Sequence, residues 1–314
     1  MDKEKVLPVG AGILVSVFFG LSFMFTREAL DVLAPLQLLG FRFALAALAM
    51  TLLRAAGWIK INLRGKNLRA VLLVALLQPF LYFIFETTGV RLTSASEAGM
   101  MMGLIPVMTV ILEIPFFKTV PSFKQLAAVI MSVSGVFFIV LMQGSVDLSY
   151  NIWGTLALLG AVVCAGLYNI YSKKSSQAFT PLEITYIMMW AGALLFNGIE
   201  LVRHTLSGTL WSMLTPLADP AVLSAVLYLG MLSSVVAFFL LNYMLSKVRA
   251  SQTSAYLNLT TVVAILGGVL FRGESFAWFQ GVGAVMIMSG VWGTSYFGRQ
   301  KSTTPLPVKL SGHR

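Results

Sequence analysis

The stretch VRASQTSAYLNLTTVVAILGGVLFRGESFAWFQGVGAVMIMSGV, Val248 to Val291, repeats an earlier part of the chain. Moved back by 155 positions, it lies without a gap over Thr93 to Val136, TSASEAGMMMGLIPVMTVILEIPFFKTVPSFKQLAAVIMSVSGV. Identical pairs include Ala95/Ala250, Ser96/Ser251, Leu104/Leu259, Phe116/Phe271, Gln125/Gln280 and Met131/Met286, and Ser134-Gly135-Val136 recurs as Ser289-Gly290-Val291. An internal repeat of this length fixes the architecture before any local reading does. It also extends outward. Gly20 and Gly166 lie 146 positions apart, as do Leu21 and Leu167, Pro35 and Pro181, and Ala47 and Ala193. The offset grows from 146 to 155 because the segment His204 to Asp219 is longer than its counterpart. The second half of the chain is therefore an echo of the first.

The 314 residues are 58% hydrophobic and 11% charged, with a mean hydropathy of +0.86. A soluble domain carries about 25% charged residues, so this chain reads as a polytopic membrane protein. One crossing of the hydrocarbon core takes roughly 20 apolar residues. Ten runs meet that length: 7–26, 34–53, 69–88, 95–116, 123–142, 152–172, 181–202, 221–245, 251–271 and 276–297. They are continuous and not alternating, which excludes a transmembrane β-barrel. The expected fold is all-α, ten transmembrane helices as two inverted five-helix repeats. Five crossings is an odd number, so the second copy enters the membrane upside down. Many secondary transporters are built this way, with the substrate site near the midplane where the halves meet. The expected divisions are a first repeat at 1–144, a linker at 145–151, a second repeat at 152–297 and a polar, disordered cytoplasmic tail at 298–314.

A net charge of +10 raises nucleic acid as a partner. Its distribution argues for topology instead. Seventeen Lys and Arg residues fall at the termini and in the loops after spans 2, 4, 6 and 8; the opposite loops hold Arg27, Arg91, Arg203 and Arg272, and Arg42 alone lies within a span. The positive-inside rule then places both termini in the cytoplasm and the protein in the cytoplasmic membrane. An even number of spans requires the same sidedness. The leading MDKEK is mixed in charge and no small-x-small cleavage site follows the first run, so that run reads as a span and not as a cleaved signal. The single cysteine, Cys164, sits inside a span, leaving no disulfide framework.

These features together are similar to the EamA-type transporters of the drug/metabolite transporter superfamily. The residues that carry the resemblance are the two five-span halves, the paired spans 4 and 9 with a short turn behind each, and spans 5 and 10 with their Ser-Gly-Val. The resemblance covers about 8–297 and is specific for the family, not for a substrate. It implies transport of small metabolites, often amino acids or related compounds and frequently outward. Two positions depart from an even repeat. The second copy has Gly273-Glu274 in the turn after span 9, a common feature of the family, where the first has Lys118-Thr119; and Pro106 in span 4 faces Thr261 in span 9.

Charges within spans are costly and by default face the bundle interior. Arg42 lies about two turns inside span 2, with Glu86 near the end of span 3 and Glu97 in the first turn of span 4. One reading makes Arg42 an anchor for a substrate carboxylate, with Glu86 or Glu97 as a proton-titrating acid; the other makes the three a structural ion cluster. The second half supplies amides: Asn169 in span 6, Asn197 in span 7, Asn242 in span 8 and Asn258 in span 9. An amide donates and accepts, which suits both zwitterion recognition and helix–helix bonding. Ser251, Ser254 and Asn258, with Thr261 further round, give span 9 one polar face. Tyr82 lies one turn before Glu86, and Tyr168, Tyr243 and Tyr256 are further aromatics near these positions. Trp190 sits in mid-span, away from the interfacial belts where tryptophan collects; it reads as a wall for an apolar substrate or as a packing residue. Glu113 is expected to pair with Lys118, and Glu200 to stand near Arg203. The expected substrate-binding set is Arg42, Tyr82, Glu86, Glu97, Asn169, Trp190, Asn242, Tyr256 and Asn258.

Signatures of an enzyme are absent. His204 and His313 are the only histidines, the four aspartates lie outside the spans, and there is no phosphate-binding loop. No cofactor and no metal site are expected. The expected partners are a small-molecule substrate, the lipid bilayer, protons as a coupling ion and, along spans 5 and 10, a second copy of the chain. Close-packing small residues mark those two spans as support for the fold or for a dimer. A facilitative or channel-like permease, a lipid flippase and a polytopic membrane enzyme are the alternative functions.

Overall fold

In the computed structural model, residues 3–117, 122–146, 151–251, 253, 257 and 259–299 are described. Among them the secondary structure is helical throughout, with no strand. The helices are α1 (Lys3–Leu30), α2 (Pro35–Ala55), α3 (Arg69–Leu92), α4 (Ala95–Met102 and Ile105–Phe117), α5 (Phe123–Val146), α6 (Ile152–Ser175), α7 (Pro181–Leu206), α8 (Pro220–Lys247), α9 (Leu259–Arg272) and α10 (Trp278–Arg299). Eight helical stretches, within α1 to α8, are long and apolar enough to cross a membrane, and Leu259–Arg272 is a shorter apolar helix.

Local chemistry sets the starts of these helices. Thr180 and Glu183 form a reciprocal capping box, with Pro181 in the first helical position. Asp219 caps α8 through the Ala221 amide at 2.8 Å, ahead of Pro220. Asn151 caps α6 through the amides of Trp153 and Gly154. Each cap satisfies amides that a helix leaves without partners.

Three helices are irregular. The break in α4 falls at Gly103 and Leu104, whose amides bond back three residues to Met100 and Met101. Pro106, with no N–H, cannot continue the ladder there. Leu76–Leu81 in α3 is a π turn containing Pro79, and Gln78 just before it is non-helical, at φ −149° and ψ 114°. Tyr228–Val236 in α8 is also π-helical, without a proline. Added to the ends of the first π turn, the repeat offset gives 231–236, which falls inside the second. The repeat therefore extends to a backbone irregularity.

Among the described residues, three of the five repeat-related helix pairs pack on each other and run antiparallel. Across α5 and α10, Ser132 donates to the Ile287 carbonyl at 3.1 Å; a side chain at Gly135 would meet the Gly283 carbonyl, and one at Gly290 the Ala128 carbonyl. Across α2 and α7, Gly40 meets Asn197, Gly192 meets Phe43, and Thr51 meets Trp190. Across α4 and α9, Thr261 donates to the Gly99 carbonyl at 3.0 Å, and Ser96 lies beside Gly268. In each pair the residue numbers rise on one helix as they fall on the other. The remaining contacts obey the same exchange: α1 packs on α8 and α9 as α6 packs on α3 and α4. One continuous hydrophobic core joins the halves, with Phe43, Tyr168, Phe196 and Phe238 among its largest buried side chains.

Candidate functional site

Where the halves meet, a cavity of about 50 Å³ is lined by residues of α1, α2, α3, α4, α6, α8 and α9 together with Leu257. Its polar lining includes Ser22, Arg42, Gln78, Tyr82, Glu86, Asn169 and Thr260, and its apolar walls include Phe19, Phe23, Phe83, Phe238 and Leu241. Cavities of this make-up, apolar with a few convergent polar groups, are where ligands bind.

Arg42 is 2% exposed. A buried guanidinium must be hydrogen-bonded to be tolerated, and its partners come from the other half of the chain. Nε donates to Ser234 Oγ at 2.8 Å and Nη2 to Ser233 Oγ at 2.9 Å. The Phe83 ring covers one face, its centroid 4.3 Å from Cζ. Among the described residues no carboxylate stands within 4.0 Å of the guanidinium. Glu86 is equally buried and accepts from Thr87 Oγ1 at 3.1 Å. The guanidinium and the carboxyl group thus share one cavity without forming an ion pair. Asn169 donates to Thr109 Oγ1 at 3.1 Å, and Tyr82 directs its hydroxyl to Met102 Sδ at 3.7 Å.

The other expected residues that are described lie elsewhere. Glu97 is buried between α4 and α6, where Thr155 Oγ1 donates to it at 3.4 Å. Asn242 is a bolt between helices: its Oδ1 accepts from Tyr168 and Ser172, both at 2.7 Å, and its Nδ2 donates to Thr185 at 3.0 Å. Trp190 stands half-exposed on the flank of α2 and α7, with its Nε1 donating to Thr51 at 3.1 Å. Asn197 bonds the Gly40 carbonyl at 2.9 Å; a Cβ on Gly40 would crowd it. Tyr256, Asn258 and Ser254 lie outside the described residues. So does Lys118, the expected partner of Glu113; Glu113 accepts from the Ser251 amide at 3.1 Å. Glu200 is fully buried and pairs with Arg203 at 3.2 Å.

Sequence reading missed four contributors. Gln78 faces the cavity because of the π turn, and Ser233 and Ser234 are presented to Arg42 by the second one. Ser233 follows Gln78 by 155 positions and Ser234 follows Pro79 by the same number, the only signal that would have found them. The fourth is Glu274, whose carboxylate accepts from the Ala95 and Ser96 amides at 2.8 and 2.9 Å. Gly273, at φ +63°, turns the chain to deliver it. Glu274 and Glu113 act as reciprocal caps, since Ser96 and Ser251 are repeat mates and each amide is held by an acid of the opposite half. A carboxylate at a helix N-terminus meets free amides and the positive end of the dipole. Among the described residues no group of three His, Cys, Asp or Glu side chains is placed to hold a metal ion.

Apolar spanning helices, a duplicated fold and, between the copies, an apolar cavity with a few convergent polar groups define a multi-pass membrane transporter. The EamA-like transporter family profile matches the chain twice, at residues 7–141 and 152–296, and the chain belongs to that family. It is 38% identical to the uncharacterized transporter YcxC of Bacillus subtilis (strain 168) over 311 residues, 98% of this chain and 100% of the relative. It is 25% identical to a probable terminal-alkyne amino-acid exporter of Streptantibioticus cattleyicolor, over 90% of this chain and 91% of that one. It is 24% identical to a probable amino-acid metabolite efflux pump of Escherichia coli (strain K12), over 92% and 94%. A crystal structure of a protein 17% identical superposes with a TM-score of 0.60, covering 94% of this chain and 99% of that one, and so shares the fold.

Proposed function

We propose that the protein is a secondary active transporter of the cytoplasmic membrane that exports small metabolites, amino acids or related solutes, by alternating access. Ten crossings in two inverted halves, with both termini in the cytoplasm, are the proposed topology. Antiparallel packing of the repeat-related helices supports it, since a copy turned over in the membrane meets its twin that way.

The carrying observation is the cavity in which buried Arg42 and Glu86 stand unpaired with each other. A solute with one carboxylate and one amine complements both charges while the aromatic walls take its apolar part. Arg42 is the carboxylate anchor and Glu86 the group that exchanges protons. The names of the relatives support amino acids as the class and export as the direction. The α5–α10 pair is peripheral and serves as support or as the face of a dimer.

The test is counterflow in proteoliposomes loaded with a neutral amino acid, leucine or phenylalanine, and diluted into tracer. Saturable, transient accumulation of tracer is the expected result. Conductance without saturation, or no accumulation of any amino acid, overturns the proposal.

A further inference from the structure

We infer that Ser233 and Ser234 are positioning residues that hold the Arg42 guanidinium so that it takes a single substrate carboxylate end-on. The inference rests on the transporter reading of the cavity and deepens it.

A guanidinium offers five N–H groups in a fixed plane, with two edges that match a carboxylate. The side-on edge is formed by Nε and the neighbouring Nη2. In this protein both of its nitrogens are engaged, by Ser234 at 2.8 Å and Ser233 at 2.9 Å. The serines are fully buried and adjacent in sequence, and both reach one guanidinium because they lie in the π segment Tyr228–Val236. Such segments concentrate at functional sites. Phe83 covers one face of the group at 4.3 Å. The end-on edge, Nη1 with the second N–H of Nη2, is left; among the described residues no protein group is hydrogen-bonded to Nη1 and no carboxylate stands within 4.0 Å.

The two serines are neutral, so they fix the orientation of Arg42 without cancelling its charge. An aspartate or glutamate there would fix it equally well and silence it. Specificity follows. Among the described residues Arg42 is the one Lys or Arg that lines the cavity, and Glu86 lines it as well. A second carboxylate on the solute would find no cation there and would meet Glu86. The site therefore selects monocarboxylates, with or without an amine, over dicarboxylates. The serines come from the second half and the arginine from the first, so the anchor is assembled only where the halves meet.

The experiment is calorimetric titration of the full chain in detergent with norleucine, hexanoate and adipate, run beside leucine counterflow in proteoliposomes. Wild type is expected to bind norleucine and hexanoate, and adipate at least about tenfold more weakly. Loss of two hydrogen bonds to a charged group corresponds to roughly tenfold or more, so Ser233→Ala/Ser234→Ala is expected to weaken norleucine and hexanoate by at least that factor. Ser233→Thr/Ser234→Thr, which keeps both hydroxyls, is expected to restore binding to within about threefold of wild type, a rescue that packing loss alone does not give. Unchanged hexanoate affinity in the alanine pair, failure of the threonine pair to rescue, equal affinity for adipate, or no carboxylate binding by wild type each overturns the inference. Carboxylate binding without counterflow leaves the inference standing and sinks the transporter reading; leucine counterflow that the alanine pair leaves unchanged does the reverse.

Discussion

The halves meet in two regions that differ in kind. Along α5 and α10 the two repeat copies of one helix pack on each other through small residues, several of them against backbone of the opposite helix. A Cβ on Gly290 would lie 2.5 Å from the Ala128 carbonyl oxygen, and one on Gly135 2.9 Å from that of Gly283. At the cavity the copies diverge. Glu86 of α3 faces Leu241 as its repeat mate, and Gln78 faces Ser233. Both charged groups come from the first half, and the hydroxyls that hold Arg42 come from the second. Where the copies pack closely through small residues they build the fold; where charged groups of one copy meet neutral partners of the other they build the site.

The largest expected loss of stability is at the seam. Gly290→Leu forces a side chain against backbone, and overpacking of a tight contact costs about 1–3 kcal/mol, occasionally more. A clear drop in the melting temperature of the detergent-solubilised protein is expected, with the affinity of the surviving fraction for its solute unchanged. A seam that tolerates leucine would erase the contrast between the two regions.

Asn242 sharpens the comparison from between the regions. It is polar and central, yet its bonds all run to Tyr168, Ser172, Thr185 and Met188. Asn242→Ala leaves buried hydroxyls without partners, which costs ~1–3 kcal/mol, so stability should fall while solute affinity stays within about twofold of wild type. A selective loss of affinity at full stability would move Asn242 into the site.

Glu86→Gln acts in the opposite sense. Stability should hold and the counterflow rate at one pH should change only severalfold, but the dependence of that rate on pH should flatten. Glu97→Gln, at an acid outside the cavity, should keep the wild-type pH profile. A pH dependence that survives the Glu86 change would remove the proton role from that residue. The smallest effect is expected at Trp190, on the flank of α2 and α7: Trp190→Phe should shift stability by less than ~0.5 kcal/mol, as surface changes do, and leave counterflow as it was.

Much of this is legible in the amino-acid sequence. The 155-residue offset shows that the chain is duplicated, but which helices pack on each other depends on the side chains across each seam and is seen only in the fold. Arg42 and Glu86 announced themselves because a charge in an apolar span has nowhere favourable to be except inside. The amides were harder. Asn169 and Asn242 are the same residue type on apolar helices, and only the surrounding hydroxyls separate one that faces the cavity from one that bolts three helices. Trp190 sat at the right depth, but depth says nothing about which way a helix face turns. Ser233 and Ser234 were hidden for a different reason. A serine pair in an apolar span is unremarked unless the backbone widens there, and α8 carries no proline at its π segment to say so. Glu274 was visible as half of Gly273-Glu274, yet its task as a cap on α4 depends on the antiparallel meeting of α4 and α9.

The central claim is that the cavity binds a solute by its carboxylate through Arg42. It is tested most directly by leucine counterflow in Arg42→Ala proteoliposomes, at a protein density matched to wild type. Removing one partner of a buried charge pair costs about 2–5 kcal/mol, so the half-saturating leucine concentration should rise about thirtyfold or more, and leucinamide, which lacks the carboxylate, should not distinguish the variant from wild type. Leucine counterflow by Arg42→Ala at the wild-type half-saturating concentration would contradict the account.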